Sequence, residues 1–168
     1  MFKIKVKSNF RSTLTNKIKQ TVDDNFIQEM QREVVEGEIK KLIAAGVSPV
    51  ISVEGDRRFK GYKDPESYPA KKKAKRPVNL WLSGVMLAWY KAVRVNGLRL
   101  TLGIATNAPS DVKTRAEANN IGTVNKKGEV AIAARRFIPL VGETFRVSVV
   151  RKIKLLYAQR IKSLVSKK

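Results

Sequence analysis

Carboxylates are the side chains of this sequence best placed to do chemistry. Asp23 and Asp24 are adjacent, and Glu29 and Glu33 lie one helical turn apart, in a stretch that also holds Glu36 and Glu38. Two carboxylates on one helix face suit a hard cation such as magnesium. Adjacent residues on a helix, however, point about 100° apart, so Asp23 and Asp24 do not converge, and Glu29 can also reach Arg32. The stretch reads better as a solvated acidic face than as a metal centre. Ser83, in the sequence Leu-Ser-Gly-Val, has no partner base. The chain contains no histidine and no cysteine. That removes the commonest general base, the commonest metal ligand, every disulfide and all thiolate chemistry. No phosphate-cradling glycine loop of the Walker type is present. The expectation is a protein that is not an enzyme and carries no cofactor or metal.

Charge points elsewhere. Lysine and arginine number 35 against 14 acids, a formal net charge of +21. Such a balance favours a polyanionic partner, nucleic acid or an acidic protein surface. The charge is uneven: residues 1–20 and 144–168 carry basic side chains only, whereas residues 23–38 concentrate acids. A basic body with one acidic helix can also bind copies of itself.

Residues 46–79 change character, holding Pro49, Pro65, Pro69 and Pro77, four of the six prolines. This segment is expected to be an extended arm, too polar and interrupted for regular structure. Phe59, Tyr62 and Tyr68 lie among Arg57, Arg58, Lys60 and Lys63, and a basic run follows at Lys71, Lys72, Lys73, Lys75 and Arg76. Aromatics interleaved with cations are the signature of single-strand binding. The preferred reading is that Phe59 and Tyr62 anchor the arm to the body, while its basic residues order against a neighbouring subunit or an anionic surface.

The elements that must position these groups centre on Leu80 to Ile104. Asn96-Gly97 between two alternating runs is a strong hairpin signal. A two-residue loop sets Val95 opposite Leu98, Val93 opposite Leu100, Lys91 opposite Leu102 and Trp89 opposite Ile104. That face is apolar apart from Lys91. The other carries Arg94 opposite Arg99 and Ala92 opposite Thr101.

Around the hairpin, Phe2, Ile4 and Val6 alternate with lysines as an edge strand. Residues 12–45 read as a helix, broken near Thr21 to Asn25, with Phe26, Met30, Val34, Ile39, Leu42 and Ile43 as its apolar stripe and Gly46 as its stop. A short helix is expected from Pro109 to Asn120. A strand from Glu129 to Ile132 then becomes a candidate to pair with the hairpin, and Phe137 and Ile138 should pack on the core. A last amphipathic helix runs from Glu143 to Val165, with Val150, Ile153, Tyr157, Ile161 and Leu164 on its stripe, flanked by Val149 and Leu156. Its valine cluster at 147–150 leaves a strand there as an alternative. The 168 residues suit a single α+β domain: an antiparallel sheet centred on the 85–105 hairpin, packed by two amphipathic helices, with the long arm inserted. No apolar run approaches the ~18 residues of a membrane span, and the first ten residues lack the apolar centre of a secretory leader. No membrane partner is expected.

Three features occur in order: Gly-Val-Ser-Pro-Val followed by Arg-Arg-Phe-Lys-Gly-Tyr; an apolar Ser-Gly segment carried by Leu80, Ser83, Gly84 and Met86; and Ala116, Asn119, Asn120 and Gly122 followed by Arg135, Arg136, Phe137 and Pro139. Over roughly residues 45–165 the chain thereby resembles the tail-completion, or neck-protein, family of tailed bacteriophages, also called virion-morphogenesis proteins. Two departures stand out. Asn119 or Asn120 occupies the place of a histidine-like residue, and Ala133 or Ala134 replaces a proline. The resemblance implies a non-enzymatic virion protein assembled in the host cytoplasm. It implies a homo-oligomeric ring at the head–tail junction, with portal, head-completion and tail proteins as neighbours. A basic rim could also contact DNA backbone without reading sequence. The alternative is a basic nucleic-acid-binding protein acting through non-specific phosphate contacts.

Overall fold

The computed structural model describes residues 22–51, 58–59, 84–96 and 99–166. The fold is α+β. Asp23 opens the first helix among the described residues: its Oδ1 accepts the Phe26 N–H at 2.8 Å, satisfying one of the donors a helix start leaves unpaired. Helix α1 (Asp24–Met30) continues without a break into a π-helical stretch (Gln31–Ile39) and then α2 (Lys40–Ala44). The apolar stripe explains the π stretch. Phe26, Met30 and Val34 recur every fourth residue, but Ile39 follows Val34 by five. Bonds from i to i+5 accommodate the extra residue, and Val34, Val35 and Ile39 are all fully buried. Gly46, at φ 73°, ends the helix. Its N–H bonds the Ile43 carbonyl and the Val47 N–H bonds that of Leu42, the paired closure of a Schellman motif.

The chain then enters β1 (Val50–Ile51), which pairs antiparallel with β6 (Thr144–Phe145). The expectation that residues 46–79 lack regular structure is therefore corrected at this end. Val47 also bridges Arg58, and the Phe59 N–H bonds Gly46. Two short apolar segments found backbone partners that no local pattern announced.

Gly84, at φ 72°, starts α3 (Val85–Ala88), which is followed by the hairpin strands β2 (Tyr90–Asn96) and β3 (Arg99–Ile104). The hairpin exists, but its register differs from the one expected. Tyr90 faces Ile104, Ala92 faces Leu102, Val93 faces Thr101 and Arg94 faces Leu100, and an irregularity lies between Arg94 and Asn96. An extra residue on one strand shifts pairing by one position, and a shift of one exchanges the two faces of a strand. Energetics decide for the bulged arrangement. The expected register placed the Lys91 ammonium among apolar side chains, an expensive burial. The observed one exposes Lys91 and buries Tyr90, Ala92 and Leu102.

The outer side of β2 is closed by a side chain. Gln31 Oε1 accepts the Ala92 N–H at 2.8 Å and its Nε2 lies 3.4 Å from the Tyr90 carbonyl. One amide thus stands in for a residue of a neighbouring strand, and the π stretch carries it. Gln31→Ala leaves the Ala92 N–H without this acceptor. The expected cost is about 1–2 kcal/mol, read by denaturant unfolding, with faster hydrogen exchange at the Ala92 amide. Unchanged exchange there would show that another group takes over.

Helix α4 (Ser110–Ile121) leads through Gly122 into β4 (Thr123–Val124), which pairs with β5 (Val130–Ile132). The strand expected near residues 129–132 is present, but it joins β4, not the hairpin. The turn at Lys126 to Gly128 returns the chain at once, so the nearest partner is the segment just left. Among the described residues the strands form three two-stranded ribbons instead of one sheet around the hairpin.

Helix α5 (Val147–Ser166) starts later than Glu143, because Thr144 and Phe145 are engaged with β1. Residues 147–150 are helical, so the strand alternative does not hold. Its buried seam centres on the expected flank: Val149 and Leu156 are buried, Ile153 and Tyr157 of the stripe pack at the core margin, and Ile161 is half exposed. α5 lies on α1 and the π stretch, with Tyr157 edge-on to Phe26 at 4.8 Å. These helices, the inward face of the hairpin, Val112 and Ala116 of α4, and Phe137 enclose the core.

Candidate functional site

The residues that carry the third sequence feature come together around one buried side chain. Asn120 is on the last turn of α4, 5% exposed. Its Oδ1 accepts the N–H groups of both Phe137 and Ile138 at 2.8 Å, and its Nδ2 donates to the Ile138 carbonyl at 3.0 Å. An irregular segment has no ladder to satisfy its backbone, and buried backbone groups require partners. Asn120 supplies three bonds from one amide.

The neighbouring residues extend the knot. The Arg135 N–H bonds the Asn119 carbonyl at 2.6 Å, and its buried guanidinium approaches Asn119 Oδ1 at 3.3 Å. Arg136 donates to the Asn120 carbonyl and, through Nε, to Glu143 at 3.0 Å. Glu143 also accepts the Leu140 N–H at 2.9 Å, bracing the turn after Pro139. Ser48 Oγ donates to the Arg136 carbonyl, and the Tyr90 hydroxyl donates to the Phe137 carbonyl at 3.2 Å. Arg146 donates to the Ser48 carbonyl. Helix α4, the segment before β1, the hairpin and the approach to α5 therefore meet on residues 135–138.

Gly122 makes the approach possible. At φ 86° it follows α4, and a Cβ there would lie 2.9 Å from both the Ala134 nitrogen and the Ile132 carbonyl oxygen. The chain can pass this close only without a side chain. An open groove of about 400 Å³ lies beside the knot, lined by residues including Ile104, Ala116, Asn120 and Ile138.

Tyr90 sets a pH limit on this arrangement. Burial pushes its phenol far above its ordinary range, and burial also raises Tyr157. Both must ionise more easily in the unfolded chain, so their contribution to stability is complete below about pH 10 and is lost as pH rises beyond it. An ultraviolet titration should show tyrosine ionisation delayed and coincident with loss of the circular dichroism signal. All four tyrosines titrating together near pH 10 with the fold intact would contradict the burial.

The carboxylates do structural work where the structure describes them. Asp23 caps α1 and also pairs with Arg160 of α5. Glu33 bonds Lys152 of α5 at 2.8 Å and Arg32 at 3.1 Å, and the hydrogen bond from Lys152, then that from Arg32, hold its carboxyl below the usual range. Glu36 binds Lys40 at 2.7 Å and Gln31 at 2.8 Å. The acidic helix is thus not simply a solvated face: part of its charge ties α5 to the first helix, and Lys152 and Arg160 are part of that seam. Among the described residues no group of three potential metal ligands converges, and no helix is long and apolar enough to cross a membrane.

The remaining predicted residues divide. Phe59 is buried in the core, Arg58 is exposed beside it, and Met86 is buried on α3 behind Gly84. Arg57, Tyr62, Lys71, Lys72, Lys73, Lys75, Arg76, Leu80 and Ser83 lie outside the described residues. Sequence reasoning missed Gln31, Ser48, Tyr90 and Glu143. Each acts on a partner distant in the chain or in irregular backbone, and no local spacing marks it. Compared with protein-family models, curated proteins and solved structures, the chain matches none.

Proposed function

We propose that this protein is a structural component of a tailed bacteriophage particle, a subunit of a homo-oligomeric ring at the head–tail junction that completes or terminates the tail. The observation that carries this reading is the knot around Asn120. The two motif halves that underlie the resemblance, Ala116 to Gly122 and Arg135 to Pro139, contact each other and satisfy the backbone of an irregular segment. These residues position backbone, which is the work of a subunit that must present fixed surfaces to neighbours. Copies of the chain, portal or head-completion proteins and tail proteins are its proposed partners. The Arg57–Arg76 arm is the proposed inter-subunit or capsid-facing segment, and the virion its proposed location. The net charge of +21 allows a basic rim to touch DNA backbone without reading sequence.

Light scattering and negative-stain imaging of the purified protein, at moderate salt and free of nucleic acid, test the ring. Discrete ring-shaped oligomers are the expected result. Should such proteins assemble only on the particle, incorporation into tails is the second readout: the protein should co-sediment with virions. A monomer that stays off particles and binds duplex DNA tightly at physiological salt, with a salt slope reporting several phosphate contacts, would favour the nucleic-acid-binding alternative.

A further inference from the structure

Among the described residues the hairpin has one closed edge and one unpaired edge. The Ala92 N–H and the Tyr90 carbonyl point away from β3 and meet Gln31, whereas the Trp89 carbonyl accepts the Ala105 N–H across the ribbon. Backbone groups alternate in direction along a strand. Lys91 and Val93 therefore turn theirs toward Gly103 and Thr101, and Leu100, Leu102 and Ile104 turn theirs outward. Among the described residues no segment pairs with that outer edge of β3. Leu102 is nonetheless only 8% exposed, and buried backbone groups require partners. The edge ends at the open groove of about 400 Å³ between Ile104 and α4. One face of the ribbon here is apolar, with Leu100, Leu102 and Ile104 against the core; the other is wet at Lys91 and Thr101.

We infer that this edge takes residues 2–7 of a second copy of the chain as a third, antiparallel strand. Residues 1–21 lie outside the described residues, but their sequence matches the edge in pattern and length. Phe2, Ile4 and Val6 alternate with Lys3, Lys5 and Lys7: three apolar side chains for the face of Leu100, Leu102 and Ile104, and lysines for the wet face. The groove at the Ile104 end has room for the aromatic ring, which sets the direction. Phe2 falls opposite Ile104, Ile4 opposite Leu102 and Val6 opposite Leu100. A lysine-coated strand also ends the sheet, because it resists further pairing. The run Val78, Leu80 and Leu82 alternates too, but it would place the Trp81 indole on the wet face. A copy's own first residues start from the wrong side. Its first helix packs along β2, with Gln31 on that strand's outer side, so the segment before Val22 leaves the fold across the hairpin from the unpaired edge. Each copy then has one strand to give and one edge to fill, a head-to-tail contact that closes into a ring when its rotation permits. The inference rests on the ring proposal in this respect and names the contact that builds it.

The chain contains no cysteine, so an introduced pair reports the contact directly. Lys5 falls opposite Thr101 at a non-hydrogen-bonded position, where Cα atoms lie ~4.5 Å apart, within disulfide reach. Full-length Lys5→Cys and Thr101→Cys proteins, carrying tags of different length and mixed under mild oxidation, should give the mixed dimer as the main crosslinked product. Lys127→Cys, in the exposed turn of the β4–β5 ribbon, should not replace Thr101→Cys. Deleting residues 2–7 should dissociate the oligomer and speed hydrogen exchange at the Leu102 and Ile104 amides by about tenfold or more. A synthetic peptide of residues 1–10 should restore their protection. If circular dichroism shows the deleted chain unfolded, Ile4→Pro, which removes one ladder N–H, takes its place. A disulfide within single chains of the Lys5→Cys/Thr101→Cys double variant, with no mixed dimer from the single variants, would overturn exchange between copies. Unchanged exchange at Leu102 and Ile104 after the deletion would overturn the added strand altogether. Rings that survive the deletion would keep the ring proposal and refute this contact, whereas mixed dimers from a protein that forms no ring would keep the contact and refute the ring.

Discussion

Gly122→Ala should be the most damaging single methyl group in the described fold. Two effects add at this position. A Cβ would sit 2.9 Å from two backbone atoms of the segment that crosses behind α4, and backbone cannot move aside as the end of a flexible side chain can. The conformation, φ 86° and ψ 167°, also lies in a region that side-chain-bearing residues scarcely enter, at about 1–3 kcal/mol. A loss of at least about 3 kcal/mol is expected, which for a chain of this size lowers Tm by roughly 10 °C. Gly128→Ala separates the two contributions. Gly128 has φ 78°, but its Cβ would meet nothing within 4 Å, so only backbone strain of about 1–2 kcal/mol remains. Equal losses at the two positions would show that the crossing of residues 132–134 behind Gly122 is not tight. Thermal unfolding followed by circular dichroism measures both.

Asn120→Ala should follow closely. It removes one acceptor shared by two N–H groups and a donor to the Ile138 carbonyl. The Phe137 bond is buried, and a buried donor without a partner costs about 1–3 kcal/mol. The expected loss is about 3 kcal/mol in denaturant unfolding, with exchange of the Phe137 and Ile138 amides accelerated more than that of α5. Asn120→Leu tests the cause. Leucine restores volume but no hydrogen bond, so it should be nearly as harmful as alanine. A leucine variant as stable as the parent would assign the role of Asn120 to filling space. In that event residues 135–138 would be held by Ser48, Tyr90 and Glu143 instead.

The two variants also bear on assembly. The knot joins residues of α4 to the approach of α5, with Arg136 held between the Asn120 carbonyl and Glu143. A chain that folds but loses this brace presents α5 and the 139–143 turn less firmly. On the proposed ring reading, ring formation should then fail at temperatures where the subunit is still folded.

Periodicity and local stereochemistry made much of the fold legible in advance. The stripe from Phe26 to Ile43, the stop at Gly46, the Asn96-Gly97 hairpin, the helix ending at Gly122 and the burial of Phe137 depend on interactions between residues close in sequence or on one repeated spacing. A hydrophobic face or a positive φ leaves its mark within a few residues. The site was partly legible for the same reason: Asn119, Asn120, Gly122 and Arg135 to Pro139 stood out as short motifs, although their contact with each other did not.

What tertiary structure decided was phase and partnership. The hairpin slipped by one position because the Lys91 ammonium cannot share the core with Leu100 and Leu102, a choice that depends on what lies opposite the strand. The buried seam of α5 centres on the flank, Val149 and Leu156, because the π stretch and α1 fix where that helix can dock. Val50 and Ile51 became a strand only because Thr144 and Phe145 arrive beside them. Gln31, unremarkable in its surroundings, became the edge of a sheet. By itself the sequence determined which residues prefer burial and where the backbone must turn, since those preferences act locally. It left open which polar atoms would meet, because hydrogen bonds and ion pairs between distant segments act only once packing has brought both ends within reach.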